Sequence, residues 1–134
     1  MRYLLALALV LGLAACGGED EDAAPADGGP AAELEIRVTQ KDGEERTATL
    51  ECGPDGGSHP SPEEACRALA ANVIALEPIP QDVACTQEYG GPERARITGT
   101  LGERSIDTEL NRTNGCEISR WDHLETVLNL PPPD

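Results

Sequence analysis

Aromatic and basic residues are both scarce in this sequence. It has no phenylalanine, one tryptophan and two tyrosines. A core without aromatics must rely on Leu, Ile, Val and Ala, which bury less area per side chain. Only 10 lysines and arginines stand against 25 acidic residues, for a formal net charge of −15. So acidic a chain is not expected to bind nucleic acid or to adsorb directly to anionic lipid headgroups.

Histidines and catalytic motifs are also few. His59 and His123 are the only histidines, and the sequence contains no G-x-S-x-G elbow, phosphate-binding loop, heptad array or internal repeat. A hydrolase is therefore not expected, and no cofactor or metal is implied. His59 is predicted to pack within a loop and donate to the backbone, and His123 to lie on the surface.

The longest apolar run lies at the N-terminus. Arg2 precedes "YLLALALVLGLAA", which is too short and wrongly flanked for a spanning helix and is typical of an export signal. Residues 13–16, "LAAC", resemble a bacterial lipobox, which implies cleavage after residue 15 and a lipid on Cys16. The mature protein would then be tethered at the outer face of the bacterial cell membrane. The alternative is an ordinary secretory signal cut near Ala15, which leaves the protein extracellular.

Residues 16–32 are predicted to be a flexible acidic linker that starts at the lipidated cysteine. The stretch has four consecutive acids and no large apolar residue, and it lacks the glycine-turn spacing of a calcium loop. Loss of residues 1–15 would remove one arginine and leave a net charge of −16. Residues 33–130 are then expected to form one folded domain, followed by a proline-rich tail at 131–134.

Four cysteines remain in the folded part once Cys16 is set aside: Cys52, Cys66, Cys85 and Cys116. Small exported domains with thin cores usually carry covalent cross-links. An even number of cysteines predicts two disulfides, with three pairings open.

The first half of the domain narrows those pairings. "LEIRV" and "RTATLEC" alternate in polarity on either side of Asp42-Gly43, which predicts an antiparallel hairpin with Cys52 facing inward. "SPEEACRALAANVI" then predicts a helix with Ser61 as N-cap, Pro62 at its first position and a capping box. The apolar stripe of this helix comprises Cys66, Leu69, Ala70 and Val73. A helix packed on the hairpin brings Cys52 to Cys66, which leaves Cys85 to pair with Cys116.

A zinc site at Cys52, His59 and Cys66 is the competing interpretation. Its C-x6-H-x6-C spacing matches no common zinc site, and a fourth ligand is missing. The disulfide interpretation is favoured, and closing a loop of this length stabilises a fold by about 3 kcal/mol.

The second half of the domain contains more strands. "RARITGTLGERSIDTEL" predicts two strands with Gly102 in the turn, and "TVLNL" predicts a last short strand before the prolines. "SRWDHLE" is ambiguous between a short helix and a loop, and Trp121 within it is expected in the core. The predicted fold class is α+β: a two-layer sandwich of an approximately five-stranded antiparallel sheet with one or two helices on one face and two disulfides.

Several of these features together resemble the Streptomyces subtilisin inhibitor family of secreted serine-protease inhibitors. The matching stretches are "TLEC", "GGSHP", the "AC" of the helix, "VAC" and "NGCE", and the resemblance spans residues 34–130. It implies disulfides Cys52–Cys66 and Cys85–Cys116, a five-stranded antiparallel sheet with helices on one face, and often a homodimer. It also implies that the protein is not an enzyme.

The same resemblance implies a protease-binding loop that begins near the third cysteine. That loop comprises Ala84, Cys85, Thr86, Gln87, Glu88 and Tyr89. Its reactive bond would be Gln87–Glu88, and its partner a subtilisin-like or trypsin-like serine endopeptidase whose own serine does the chemistry. A disulfide at Cys85 would hold the loop rigid, so that little entropy is lost on docking.

The loop also departs from the family pattern. Gln87 stands where the family usually has a large apolar or basic side chain, and Glu88 adds a charge beside the reactive bond. Gly90 and Gly91 are expected to loosen the loop, because glycine restricts the backbone least. These departures keep a second hypothesis open: a non-inhibitory binding module of the cell envelope on the same fold.

Overall fold

The computed structural model describes residues 29–134. The predicted signal segment, the lipidation site at Cys16 and linker residues 17–28 lie outside this range. Ala32, which the sequence assigned to the linker, is buried and is the first residue of a strand. Among the described residues, no helix has both the length and the apolar character needed to span a bilayer.

One antiparallel sheet of four strands forms the first layer. The strands are β1 Ala32–Thr39, β2 Glu45–Cys52, β3 Gly91–Leu101 and β4 Arg104–Arg112. Their order across the sheet is β2-β1-β3-β4, so two hairpins lie side by side with Ile36 opposite Ile97. Gly43 (φ 86°) and Gly102 (φ 60°) turn the two hairpins in the left-handed conformation that glycine favours.

The helices cover one face of this sheet. They are α1 Pro62–Ala71, a short 3₁₀ helix Val73–Leu76, α2 Gly115–His123 and α3 Glu125–Leu128. The α+β sandwich with two disulfides is confirmed, and the ambiguous "SRWDHLE" segment belongs mainly to α2.

The predicted fifth strand at "TVLNL" is wrong, because α3 occupies most of it. Consequently residues 29–134 contain four strands rather than about five. Val127 and Leu128 are adjacent and both buried, and Leu124 is buried one turn earlier. Neighbouring side chains of a strand point to opposite faces, whereas a helix can bury such a cluster on one side.

The start of α1 differs in detail from the prediction. Ser61 is the N-cap and Pro62 opens the helix, but the Ser61 side chain makes no capping hydrogen bond, so the predicted capping box is wrong. The Ser61 amide instead donates to Nδ1 of His59 at 3.0 Å, and Nε2 of His59 lies 3.0 Å from the carbonyl of Val127. Because Nδ1 accepts, Nε2 must carry the proton, and His59 donates to the backbone as expected.

The core lies between the sheet and the helices and is aliphatic. Its largest fully buried side chains are Ile36, Leu50, Leu69, Ile97, Leu110, Leu124, Val38 and Val127. Trp121 packs against this cluster but is only partly buried, so the prediction of a core tryptophan holds in part.

The opposite face of the sheet is polar and carries ion pairs. Arg96 of β3 donates twice to Asp107 of β4, each time at 2.9 Å. This hydrogen bonding from Arg96 lowers the pKa of the Asp107 carboxyl below its ordinary value. The pair is exposed, so its effect on stability is screened by water.

Candidate functional site

The segment between the 3₁₀ helix and β3 carries the predicted loop. Residues 77–90 have no helix or strand, and Gln87, Glu88 and Tyr89 are exposed, with 67% of Tyr89 accessible. Such an exposed chain needs support from the rest of the fold to keep one conformation, because a free loop has high conformational entropy.

A disulfide provides the first fixed point of the loop. Cys85 is bonded to Cys116 in the first turn of α2, with Cα atoms 5.4 Å apart. The second disulfide joins Cys52 to Cys66, with Cα atoms 5.7 Å apart. Both pairings are those expected from the sequence. The bond therefore ties the loop directly to a helix of the core layer.

The Cys52–Cys66 bond also bears on the zinc site considered as an alternative from the sequence. The Asp55 carboxylate lies near both sulfur atoms, but sulfurs joined in a disulfide are no longer the thiolates that bind zinc. His59 contacts protein groups through both ring nitrogens. These residues form a cross-linked turn, and the disulfide rules out the zinc site considered from the sequence.

Gly115, the residue before Cys116, provides the second fixed point, which lies at Thr86, one residue after Cys85. Its amide donates to the carbonyl of Thr86 at 3.1 Å. A Cβ on Gly115 would overlap the Thr86 hydroxyl, so only glycine allows α2 to approach the loop this closely. Asn114 begins the helix by accepting the Glu117 amide at 3.0 Å. The "NGCE" stretch is thus a helix start shaped to hold the loop.

Arg112 provides the third fixed point, at the far end of the loop. The Gly90 amide donates to the Arg112 carbonyl at 2.7 Å, and Nε of Arg112 donates back to the Gly90 carbonyl at 3.1 Å. The guanidinium also lies over the Trp121 ring, 5.6 Å from its centroid. The expectation that Gly90 and Gly91 loosen the loop is therefore wrong at Gly90, because both of its backbone groups are bound.

The three residues between the second and third fixed points form the tip of the loop. Within residues 29–134, no backbone hydrogen bond of a turn or loop involves Gln87, Glu88 or Tyr89. One side-chain contact crosses the tip: the Thr86 hydroxyl lies 3.4 Å from a carboxylate oxygen of Glu88. The loop thus presents a short exposed peptide between rigid supports.

A buried arginine lies beneath the loop and was missed from the sequence. Arg120 of α2 is only 6% exposed. Its guanidinium donates to the Ala75 carbonyl at 3.0 Å and to the Thr108 hydroxyl at 2.9 Å, and it pairs with Glu117 at 2.9 Å. It joins α2 to the 3₁₀ helix and to β4. The sequence did contain a signal for its burial: Arg120 lies four residues after Cys116, and residues four apart share one side of a helix.

Comparison with known proteins identifies the family. Residues 31–112 match the family described as subtilisin inhibitor-like. The chain belongs to the subtilisin inhibitor-like family. This match includes all four strands, α1 and the loop, and it ends before Cys116. It confirms the resemblance found from the cysteine framework.

Individual relatives of this subtilisin inhibitor-like chain come from Streptomyces. The chain is 37% identical over 81 residues to Subtilisin inhibitor-like protein 1 of Streptomyces cacaoi, a match that covers 57% of this chain and 73% of that protein. It is 33% identical to Kexstatin-1 of Streptomyces platensis over an alignment of 149 positions, which covers 96% and 99%. A crystal structure of Streptomyces caespitosus sermetstatin in complex with Bacillus licheniformis subtilisin matches 73% of this chain and 96% of that chain, with a TM-score of 0.47 and 24% identity.

Proposed function

We propose that this chain inhibits subtilisin-like serine endopeptidases by presenting residues 84–89 to the active-site cleft, with Gln87–Glu88 as the bond offered to the catalytic serine. Membership of the subtilisin inhibitor-like family supports this function. The observation that carries it is the exposed tip, Gln87 to Tyr89, held between fixed points at Thr86 and Gly90. Residues at the tip can enter a cleft while the supports stay in place.

Rigidity explains how such a loop would bind without being consumed. A flexible peptide loses conformational entropy when it docks, whereas a loop already in its bound shape loses little. The disulfide and Gly115 hold the chain before the reactive bond, and Arg112 holds it after the bond, at Gly90. The same supports would keep the two new ends together if the protease cut the bond. Rejoining the ends could then compete with hydrolysis.

The side chains of the tip would determine the specificity for the protease. Gln87 would enter the specificity pocket, where its amide must find hydrogen-bond partners or lose those it made with water. Glu88 would place a negative charge on the leaving side of the bond. A subtilisin-like or trypsin-like enzyme remains the proposed partner, and a homodimer remains a prediction.

We also propose that residues 1–15 direct export and that Cys16 carries the lipid. "LAAC" and the two disulfides support this, because disulfides persist in oxidising compartments. Residues 17–28 would then connect the lipid to the folded domain. The inhibitor would act at the outer face of the membrane.

Titration of subtilisin with the purified protein tests the inhibitory function. Residual protease activity would be measured at increasing molar ratios, and mass spectrometry would follow the chain. Stoichiometric loss of activity with the chain intact, or cut only at Gln87–Glu88, is expected. Full activity, with the loop degraded or untouched, would instead favour the binding module of the cell envelope.

A further inference from the structure

We propose that Thr86 and Glu88 form a side-chain brace across the reactive bond, and that this brace helps the loop to act as an inhibitor rather than a substrate. The inference rests on the proposed function. The Thr86 hydroxyl donates to a carboxylate oxygen of Glu88 at 3.4 Å, and Gln87 lies between them. The contact therefore joins the residue before Gln87 to the residue that would leave.

Thr86 is positioned for this contact by its surroundings. Its carbonyl accepts the Gly115 amide at 3.1 Å, and the preceding residue, Cys85, is held by the disulfide. The Thr86 hydroxyl lies in the space that the missing side chain of Gly115 leaves open. Thr86 is thus the fixed half of the brace, and Glu88 is the half that gains order from it.

The protease cleft should strengthen the contact. At 3.4 Å the hydrogen bond is long for a hydroxyl donor, as expected for an exposed pair that competes with water. Hydrogen bonds to an ionised acceptor are shorter and stronger than neutral ones. When an enzyme covers the tip, water leaves and the local dielectric constant falls, so the attraction between hydroxyl and carboxylate increases.

The brace would act on the covalent step of the proposed mechanism. The serine oxygen of the protease attacks the Gln87 carbonyl, the bond from that carbon to the Glu88 nitrogen breaks, and the nitrogen takes up the serine proton. The result is an ester to Gln87 and a free amine on Glu88. In the reverse reaction this amine attacks the ester and releases the serine. By linking Thr86 to Glu88, the brace keeps the amine near the ester, which favours the reverse reaction over attack by water.

A double-mutant cycle on the full chain, purified in mild detergent, tests the brace. The variants are Thr86→Val, which removes the hydroxyl at nearly constant shape, Glu88→Met, and the combination of both. The inhibition constant for subtilisin is measured for each. The equilibrium ratio of cut to intact Gln87–Glu88 bond is measured with a trace of the enzyme. Thr86→Ser keeps the hydroxyl as a conservative rescue, and Thr47→Val alters an exposed threonine of β2 as the matched control.

Each brace variant should weaken inhibition and raise the cut-to-intact ratio by about threefold to tenfold, the range expected for one hydrogen bond. The double variant should be little worse than either single one, because both remove the same contact. Thr86→Ser should recover most of the inhibition that Thr86→Val loses, because it keeps the hydroxyl. Thr47→Val should stay within about twofold of the parent, which is the accuracy with which independent effects add. Thermal unfolding should be unchanged throughout, since the tip is exposed.

Two results would overturn the inference, and they differ. If the parent inhibits subtilisin but the two single effects add and the cut-to-intact ratio does not move, the brace alone is wrong. If the parent neither inhibits subtilisin nor is cut selectively at Gln87–Glu88, the proposed function fails and the brace fails with it.

Discussion

Arg112 binds both backbone groups of Gly90. Its carbonyl accepts the Gly90 amide at 2.7 Å, and its Nε donates to the Gly90 carbonyl at 3.1 Å. The chain after the proposed reactive bond therefore enters β3 from a fixed position beside the end of β4. Stacking on Trp121 and an ion pair with Asp122 at 3.5 Å keep the guanidinium in place.

Replacing Arg112 by methionine should make the loop a better substrate. The methionine side chain has no N–H donor and no charge, so the hydrogen bond to the Gly90 carbonyl and the cation–π contact with Trp121 would both be lost, while the backbone contact with Gly90 remains. We expect at least a threefold faster cleavage at Gln87–Glu88, which corresponds to about 0.7 kcal/mol, within the range for one hydrogen bond. Timed mass spectrometry with subtilisin measures the rate. Arg94→Met, at an exposed position of β3, is the control, and equal rates in the two variants would count against a role for Arg112.

Replacing Gly115 by alanine should displace the loop. The new Cβ would overlap the Thr86 hydroxyl, so Thr86 must move away from α2. Because a loop that must reorder on docking binds less tightly, we expect inhibition of subtilisin to weaken at least tenfold, or about 1.4 kcal/mol. Gly56→Ala is the matched control, since a Cβ there meets only ordinary contact with Glu51 at 3.4 Å. Unchanged inhibition by Gly115→Ala would show that the approach of α2 does not shape the loop.

Removal of either disulfide should lower stability, but only removal of the one at the loop should also abolish inhibition. Cys85–Cys116 closes 31 residues and Cys52–Cys66 closes 14. In the chain-entropy account, the double serine variants lose about 4 and about 3 kcal/mol of unfolding free energy respectively. Only loss of Cys85–Cys116 should also convert the loop into a rapidly cut substrate, under conditions where both variants are folded. Denaturant unfolding and subtilisin titration measure the two effects. Equal loss of inhibition in both folded variants would contradict a specific role for the bond at the loop.

Replacing Gln87 by leucine tests which bond is presented. If Gln87 enters an apolar specificity pocket, removing its amide should tighten subtilisin inhibition at least tenfold, because the polar group no longer has to leave water. The inhibition constant gives the answer, and Gln81→Leu changes an exposed glutamine of the same segment as a control. An effect no larger than that of the control would place the contact elsewhere in the loop.

The ion pair on the sheet predicts a small dependence of stability on pH. Hydrogen bonding from Arg96 lowers the pKa of Asp107 in the folded state. The pair therefore contributes stability above the ordinary carboxyl pKa of 3.8, and this contribution is lost as the pH falls through the lower folded value. Asp107→Asn should melt slightly below the parent at neutral pH, with the difference disappearing in acid. A difference that persists in acid would point to another cause.

The elements that local pattern specifies were predicted well. Alternating polarity located all four strands, and the Asp-Gly and Leu-Gly turns located both hairpins. Pro62 was correctly placed at the first position of α1, although the Ser61 side chain does not cap it. These features depend on residues only a few positions apart in the chain, so they can be predicted from the local sequence.

The site was predicted less completely. The position of the loop followed from the family resemblance, and its disulfide followed from the cysteines. The contacts at Gly90 and Thr86 did not follow from either. Two glycines in a row suggested flexibility, yet Arg112 holds the first of them. The conformational freedom of glycine increases the entropy of the unfolded chain. In the folded chain, hydrogen bonds with residues distant in sequence determine whether a glycine is held in one conformation.

By itself, then, the sequence determined the four observed strands, the first helix and the number of cross-links, because periodicity, turn residues and the count of cysteines can be read from the chain alone. The family followed from the resemblance of its cysteine-containing stretches to known inhibitors. The tertiary structure decided that the C-terminal segment is helical, that Arg120 is buried, and that Gly115 and Arg112 support the loop. Each of these depends on where elements far apart in the chain meet. A segment as short as "TVLNL" fits both the two-residue period of a strand and the 3.6-residue period of a helix. Only the packing of Val127 and Leu128 against the rest of the core selects the helix.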